Sequence, residues 1–439
     1  MIANLKALFS DIDWYILAAS LVLMVVGVLF IFSSGVTSTG VIVSTEYLRQ
    51  IAWVSLGVVF LMLVVLVDYK RVKDSSFIIY AAVVAMLVYT RMFGRVVNGA
   101  RSWIGIGELG IQPSEFAKIA TIFFLSKYLD ETRHSLPGFR RFLSSLGIVG
   151  LPMLLVLSQP DFGTALVFIP ILLSMLYLCG LERRYILFLL STVALTLVLV
   201  VLPLWERNIA VKPTGFLFVL YEGPYRYWIL GACVVSLGLA VWGFLAFRKR
   251  YYYWISFAFL ILILSLVGSE LGHRVLKDYQ IMRLIVFLDP SVDPRGSGWN
   301  ILQSITAIGS GGFAGRGFLQ GTQSHYRFLP QQSTDFIFSI LSEEWGFLGG
   351  LVVFGLYGLI LWRTLALLKT VKDPFAVGIV AGLSGMILFH FLINIGMTMG
   401  IMPITGIPLF FLSYGGSSLW TVLIGIGLIL GISARRYHS

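Results

Sequence analysis

WYILAASLVLMVVGVLFIF, Trp14 to Phe32, contains no charged side chain. At a helical rise of about 1.5 Å per residue it is long enough to cross the roughly 30 Å of hydrocarbon in a bilayer. The run follows Asp11 and Asp13 rather than a basic cluster and is longer than a signal-peptide core, so it reads as a retained first membrane helix.

Similar runs recur along nearly the whole 439-residue chain, which is 58% hydrophobic and only 12% charged. That composition excludes a soluble enzyme and predicts an all-α, polytopic integral membrane protein. The expected spans are 14–33, 49–67, 76–92, 113–128, 143–158, 162–180, 184–204, 227–247, 252–270, 336–362, 376–398 and 410–434, about twelve by the length rule. No separate soluble domain remains, so residues 1–439 form one transmembrane domain.

The two cysteines, Cys179 and Cys233, lie in apolar runs and give neither a disulfide framework nor a thiolate metal site. The five histidines are scattered without ligand spacing. A net charge of +11 comes from basic residues in short loops between spans, which orient the chain and meet anionic lipid rather than nucleic acid. With the N-terminus in the cytoplasm, every inside turn is basic, from Lys70, Arg71 and Lys73 to Arg435 and Arg436. Both termini are then cytoplasmic, and a long loop at 271–335 lies outside. In so economical a chain, an ordered loop of that length points to function.

Several stretches carry candidate chemistry. FLPQQSTDFIFSILSEEWG, Phe328 to Gly346, runs from a polar loop into an apolar helix. Asp335 follows Ser333 and Thr334, a helix-start pattern that places its carboxylate near the positive end of the helix dipole. It serves there as a capping acid, or as an ionised carboxylate that takes a hydroxyl proton or holds a divalent cation. Glu343 and Glu344 lie about 12 Å deeper, where an ionisable group must face protein or water. ARSWIGIGELGIQPSEFAKIA adds Arg101 in an outside loop and Glu115 and Lys118 at i, i+3 on one helix face. Those two are a self-neutralising pair, or the lining of a polar cavity in which Lys118 and Arg101 meet a phosphate. Asp161, in SQPDFGTA, sits in a tight connection between two spans. Arg283, in IMRLIVFLDP, adds another base outside. GSGGFA, Gly309 to Ala314, fits a dinucleotide fingerprint only superficially, because no βαβ unit surrounds it.

In order, ARSWIG and QPSEFAKIA, QPDFGTA, RLIVFLDPSVDPRGSGWNILQSITAIGSGG, FLPQQSTDFIFSILSEEWGFLG and GIMPITGIPLFFLSYGGSS closely resemble the SEDS family of shape, elongation, division and sporulation proteins. The AIGSGG and EEWG variants look like its elongation members rather than its division members. The resemblance implies a peptidoglycan glycosyltransferase that polymerises lipid II on the outer face of the bacterial cytoplasmic membrane, releasing undecaprenyl pyrophosphate with inversion. It implies a class B penicillin-binding transpeptidase as partner, together with other membrane proteins of the elongation complex. The family's essential aspartate falls on Asp335, its intramembrane acid and base on Glu115 and Lys118, and its loop arginine on Arg101. Asp161 and Arg283 join them as expected substrate contacts. A divalent cation, Mg²⁺ or Mn²⁺, is implied for the pyrophosphate, with Asp335 as its ligand on the protein.

Two departures stand out. Where the family typically places Glu or His before the Thr-Asp pair, this chain has Gln331, Gln332 and Ser333, which leaves Asp335 the only titratable side chain between Arg327 and Glu343. Family members generally have ten spans, so 205–270 reads as an inserted helix pair hinged by RKRYYYW, Arg248 to Trp254. Charge placement alone also allows a lipid II transporter or a non-enzymatic scaffold for the transpeptidase.

Overall fold

The computed structural model describes residues 11–97, 99–106, 109–208, 217–220, 223–275, 278–294 and 296–436. Its helices are α1 (Trp14–Ser34), α2 (Glu46–Leu66), α3 (Tyr69–Phe93), α4 (Pro113–Glu131), α5 (Gly138–Ser158), α6 (Phe162–Leu166), α7 (Phe168–Leu178), α8 (Arg183–Asn208), α9 (Gly223–Phe247), α10 (Arg250–Val275), α11 (Asp278–Leu288), α12 (Ser297–Gly311), α13 (Thr322–His325), α14 (Ile337–Leu367), α15 (Pro374–Thr398) and α16 (Gly416–Arg435). Among the described residues, ten are long and apolar enough to cross a membrane. Helices stand at the other two expected spans as well. α4 carries Glu115, Lys118, Lys127, Asp130 and Glu131, and the 162–178 stretch breaks into α6 and α7 at Val167.

Polar signals set the helix ends. Asp13 caps α1 by accepting the N–H groups of Tyr15 and Ile16, and its other oxygen pairs with Arg363 Nη2 at 2.7 Å. Asp373 caps α15, whose first residue is Pro374, a position where a missing N–H costs nothing.

The chain forms two compact units, one made of the described residues up to 181 and from 300 onward, the other of 182–299. In the first, α15 and α16 are the interior: α15 packs along α4, α7 and α14, and α16 along α2, while α14 lies along α1. In the second, α10 packs between α8 and α9, at the place read as an inserted pair.

Two regions differ from expectation. The connection between α3 and α4 is a three-stranded antiparallel sheet, β1 (Arg95–Val97), β2 (Ala100–Ile106) and β3 (Leu109–Ile111), in which Val96 faces Arg101 and Ile104 faces Ile111. The stretch 271–335, expected as one long loop, contains α11, α12 and α13 together with the end of α10. Glycines obscured the periodicity there: on α12 the buried positions are 298, 301, 304, 307 and 311, one helical face.

Candidate active site

Asp335 lies in a turn, residues 331–336, that leads into α14. Gln331 adopts a left-handed conformation, φ +51°. Its carbonyl accepts the N–H groups of Asp335 at 3.2 Å and Phe336 at 3.3 Å. The N-cap of α14 is Phe336, so Asp335 stands one residue before the position expected for a capping acid. The reason is visible in the carbonyls that precede the helix. Ser333 O accepts the N–H of Tyr414 at 2.8 Å, Thr334 O accepts the Ser413 hydroxyl at 2.6 Å, and Asp335 O accepts Asn394 Nδ2 at 3.0 Å. Three successive carbonyls are thus committed to groups from α15 and the 409–415 segment. The clamp is itself braced: Asn394 also donates to Ile407 O at 2.8 Å, and Gln50 of α2 bonds Ser413 O at 3.3 Å. The result is a half-buried Asp335 on a backbone whose carbonyls are fixed residue by residue.

Inside the bundle, Glu115 and Lys118 occupy one face of α4, with Lys118 Nζ 2.8 Å from Glu115 Oε2 and both side chains nearly inaccessible. Lys118 Nζ also lies 3.3 Å from His390 Nε2, and the His390 ring stacks on Phe410. The imidazole is oriented by Pro408 O, 2.9 Å from Nδ1. His390 and Asn394 are one turn apart on α15, so the buried ion pair and the backbone of Asp335 are held by the same helix. Lys118 is therefore committed to Glu115 and His390 rather than presented to a phosphate at the surface. A lone ammonium in this interior would carry a desolvation cost that the pair offsets.

Asp161 caps α6 by accepting the N–H of Thr164 at 3.2 Å and takes a 2.7 Å bond from Gln112 Nε2 at the start of α4. Arg101, exposed on β2, donates its N–H to Gln159 O at 3.2 Å, so both residues are anchored at the α5–α6 connection. Arg283 belongs to α11, in the second unit.

Glu343 and Glu344 are fully buried and serve the chain preceding Asp335. Glu343 accepts the N–H groups of Thr322 and Gln323 at 2.7 and 2.9 Å and that of Ser324 at 3.3 Å, capping α13 from outside. Glu344 accepts the Leu319 N–H at 3.1 Å and the Ser33 hydroxyl, and its Oε1 lies 3.5 Å from His325 Nε2. Directly after them, α14 kinks at Gly346, φ +63° and ψ −158°, a conformation essentially restricted to glycine. The kink frees backbone groups that GFAGRG, Gly312 to Gly317, takes up: Arg316 and Gly317 donate to Glu343 O and Glu344 O, and Phe347 donates to Gly312 O. A Cβ on Gly315 would stand 2.1 Å from Glu344 O. Those glycines therefore serve backbone docking, and the dinucleotide resemblance has no role.

Sequence reasoning missed His390, Asn394 and Ser413. The signal was present as polar residues at i, i+4 and i+8, His390, Asn394 and Thr398, on an otherwise apolar span. For a hard cation, no group of three or more His, Cys, Asp or Glu is arranged to hold a metal among the described residues. The available donor set is one carboxylate, which fits a cation shared with substrate phosphates rather than a protein cage.

Comparison with known proteins places this arrangement. The cell cycle protein family model FTSW_RODA_SPOVE matches residues 13–212 and 230–438. The chain is 51% identical to the peptidoglycan glycosyltransferase RodA of Treponema pallidum over 97% of its length and 98% of the relative's. It is 31% identical to the stage V sporulation protein E of Bacillus subtilis, with 96% of each chain covered. A solved chain described under the structural coordination of polymerization and crosslinking by a peptidoglycan synthase complex superposes with a TM-score of 0.64 at 25% identity, covering 98% of this chain and 99% of that one. The crystal structure of Thermus thermophilus RodA gives 0.59 at 22% identity, covering 98% of each chain, a likeness of fold. The chain is a multi-pass membrane protein and belongs to the SEDS family.

Proposed function

We infer that this protein is a peptidoglycan glycosyltransferase of the elongation type, which polymerises lipid II into glycan strands and so maintains cell shape. The observation that carries the reading is the Asp335 carboxylate on three clamped carbonyls, in a chain 51% identical to a protein of that name. A sugar 4-hydroxyl attacks the anomeric carbon of a second, lipid-linked sugar. The new C–O bond forms as the bond to the phosphate oxygen breaks, and its electron pair leaves with undecaprenyl pyrophosphate. Asp335 takes the hydroxyl proton, or orients the hydroxyl for attack. A single displacement inverts the configuration at the anomeric carbon.

Arg101, exposed on β2, suits a phosphate oxygen. Glu115, Lys118 and His390 hold α4 against α15 and so keep Asn394 under Asp335. Mg²⁺ or Mn²⁺, held by Asp335 and the diphosphate, would supply charge neutralisation to the leaving group. The active site lies on the outer face of the cytoplasmic membrane, with both termini inside, in keeping with the basic inside loops. A class B penicillin-binding transpeptidase is the partner, a reading supported by the likeness to a chain from a complex that couples polymerisation to crosslinking.

The test is glycan polymerisation from labelled lipid II by purified protein with its transpeptidase and Mg²⁺ or Mn²⁺. Polymer from wild type and none from Asp335→Asn is the expected result. Equal polymer from both would remove Asp335 from the reaction.

A further inference from the structure

Next to the Asp335 turn lies a cavity of about 330 Å³, at the small end of the roughly 300–1,000 Å³ typical of small-molecule sites. One wall is Arg327 with Gln331, Gln332 and Ser333, the residues leading directly to Asp335; the other includes Ser44 of the α1–α2 connection and Glu46, the first residue of α2. The walls are tied together. The ring of His325 bonds Val36 O through Nδ1 at 2.7 Å, and Ser38 N–H donates to His325 O at 3.2 Å. Leu329, which also lines the space, is buried, so the floor is packed protein.

Three features of the lining point to a ligand. Glu46 and Arg327 are opposite charges on one cavity, yet they do not pair with each other, and neither side chain makes an ion pair with any described residue. The side-chain oxygen of Gln332 is shielded from solvent and has no hydrogen-bond partner among the described residues. A polar atom left in that state destabilises the fold unless something supplies the missing bond. The charged lining sums to zero, with one carboxylate and one guanidinium. A diphosphate would demand an excess of positive charge, whereas a neutral ligand rich in hydroxyl and amide groups suits this set.

We propose that this cavity is a sugar subsite. It holds one N-acetylhexosamine unit of the substrate, with Glu46 and the Gln332 oxygen accepting hydroxyl or amide protons and Arg327 donating to the acetamido carbonyl. The inference rests on the glycosyltransferase reading and deepens it, because a ring seated here brings its hydroxyl toward the neighbouring Asp335. Asp335 remains the group that meets the reacting proton. Glu46, Arg327 and Gln332 set which sugar is held and how firmly.

The test has two arms on the full-length protein with its transpeptidase partner. Steady-state polymerisation is measured against lipid II concentration for wild type, Glu46→Gln and Arg327→Gln. Equilibrium binding of fluorescent lipid II is measured in the inactive Asp335→Asn background, with and without each change. Loss of a hydrogen bond to a charged group predicts a rise in KM and in Kd of about tenfold or more, with kcat little changed. Glu46→Asp should restore part of the affinity. Gln332→Leu, which removes the orphaned oxygen without touching a charge, should weaken binding while leaving the melting temperature unchanged or raised. If KM and Kd are unchanged in all variants, the subsite is wrong, even where wild type makes polymer. If wild type makes no polymer, the glycosyltransferase reading fails, and the binding arm still reports on the cavity by itself.

Discussion

The two units of the chain use the same helical material in opposite ways. In the first, α15 and α16 have 72% and 83% of their apolar core segments buried within the protein; in the second, the figure for α9 and α10 is 17% each. The first unit's interior helices carry Lys118, His390 and Asn394, and each is spoken for by another side chain or a carbonyl. The second unit is pinned by a smaller set, in which Arg226 bonds Glu270 at 3.0 Å and Ser269 at 2.7 Å, and Ser265 reaches Thr192 O at 3.2 Å. Apolar helices that face outward on most sides are solvated by lipid or covered by a partner. Polar groups buried this deeply are retained where they position something, and here Asn394 holds the backbone carbonyl of Asp335 while Lys118 and His390 join α4 to α15.

The sharpest way to break that contrast is Asp335→Asn. A fall in polymerisation on the order of 10²–10⁴ is expected, on the proposal that Asp335 takes the hydroxyl proton or orients the hydroxyl for attack. Lys118→Met is expected next, because it leaves Glu115 buried without its countercharge. Removing one member of such a pair costs about 3–5 kcal/mol, read as a large drop in melting temperature in detergent. The matched change in the second unit, Arg226→Met, leaves Glu270, which is 38% exposed and keeps Arg274 at 2.9 Å. That variant should lose about 1 kcal/mol, and a loss equal to that of Lys118→Met would dissolve the distinction.

Gly346→Ala forces a side chain into a glycine-only conformation, with its Cβ 2.3 Å from Gly315 N. The kink and the docked 312–317 segment should together lose about 1–3 kcal/mol, visible as faster proteolysis near that segment. Asn394→Ala removes the donor to Asp335 O. Misplacement of the carboxylate should lower kcat by about 10–100-fold while KM and the pH profile stay put. A rise in KM alone would show that Asn394 shapes binding instead.

The smallest effect concerns His325. The Glu344 carboxylate, 3.5 Å from Nε2, and then the bond between Nδ1 and Val36 O hold the imidazole above its ordinary pKa of 6.5, against the pull of burial; Glu343 adds to the same side. A raised value means that the protonated ring stabilises the fold fully below 6.5, and that this contribution is lost as pH climbs through the folded-state value. Wild type should therefore lose thermal stability relative to His325→Gln as pH rises above 6.5. Parallel curves for the two would show that the ring's charge contributes nothing.

Much of this was legible before any coordinates. Apolar run lengths located the spans, and the i, i+3 spacing put Glu115 and Lys118 on one face because helical geometry is local. Asp335 stood out by chemistry alone, an acid at the threshold of an apolar helix. The limits were just as physical. Glycines obscured α12, whose buried face emerges only at 298, 301, 304, 307 and 311, and short strands around a turn hid the hairpin that presents Arg101. The capping reading of Asp335 was off by one residue because Tyr414, Ser413 and Asn394 claim the preceding carbonyls from distant parts of the chain.

What the sequence determined by itself was therefore the solvent of the protein, the number and approximate length of its spans, and which charges are too costly to be accidental. Those follow from transfer free energies and local periodicity. Only the tertiary structure decided that Glu343 and Glu344 brace α13 and the segment before it, that His390 completes the Lys118 pair, and that Glu46 and Arg327 line one cavity beside Asp335. Each of these joins residues tens to hundreds of positions apart, and no local propensity encodes such a meeting.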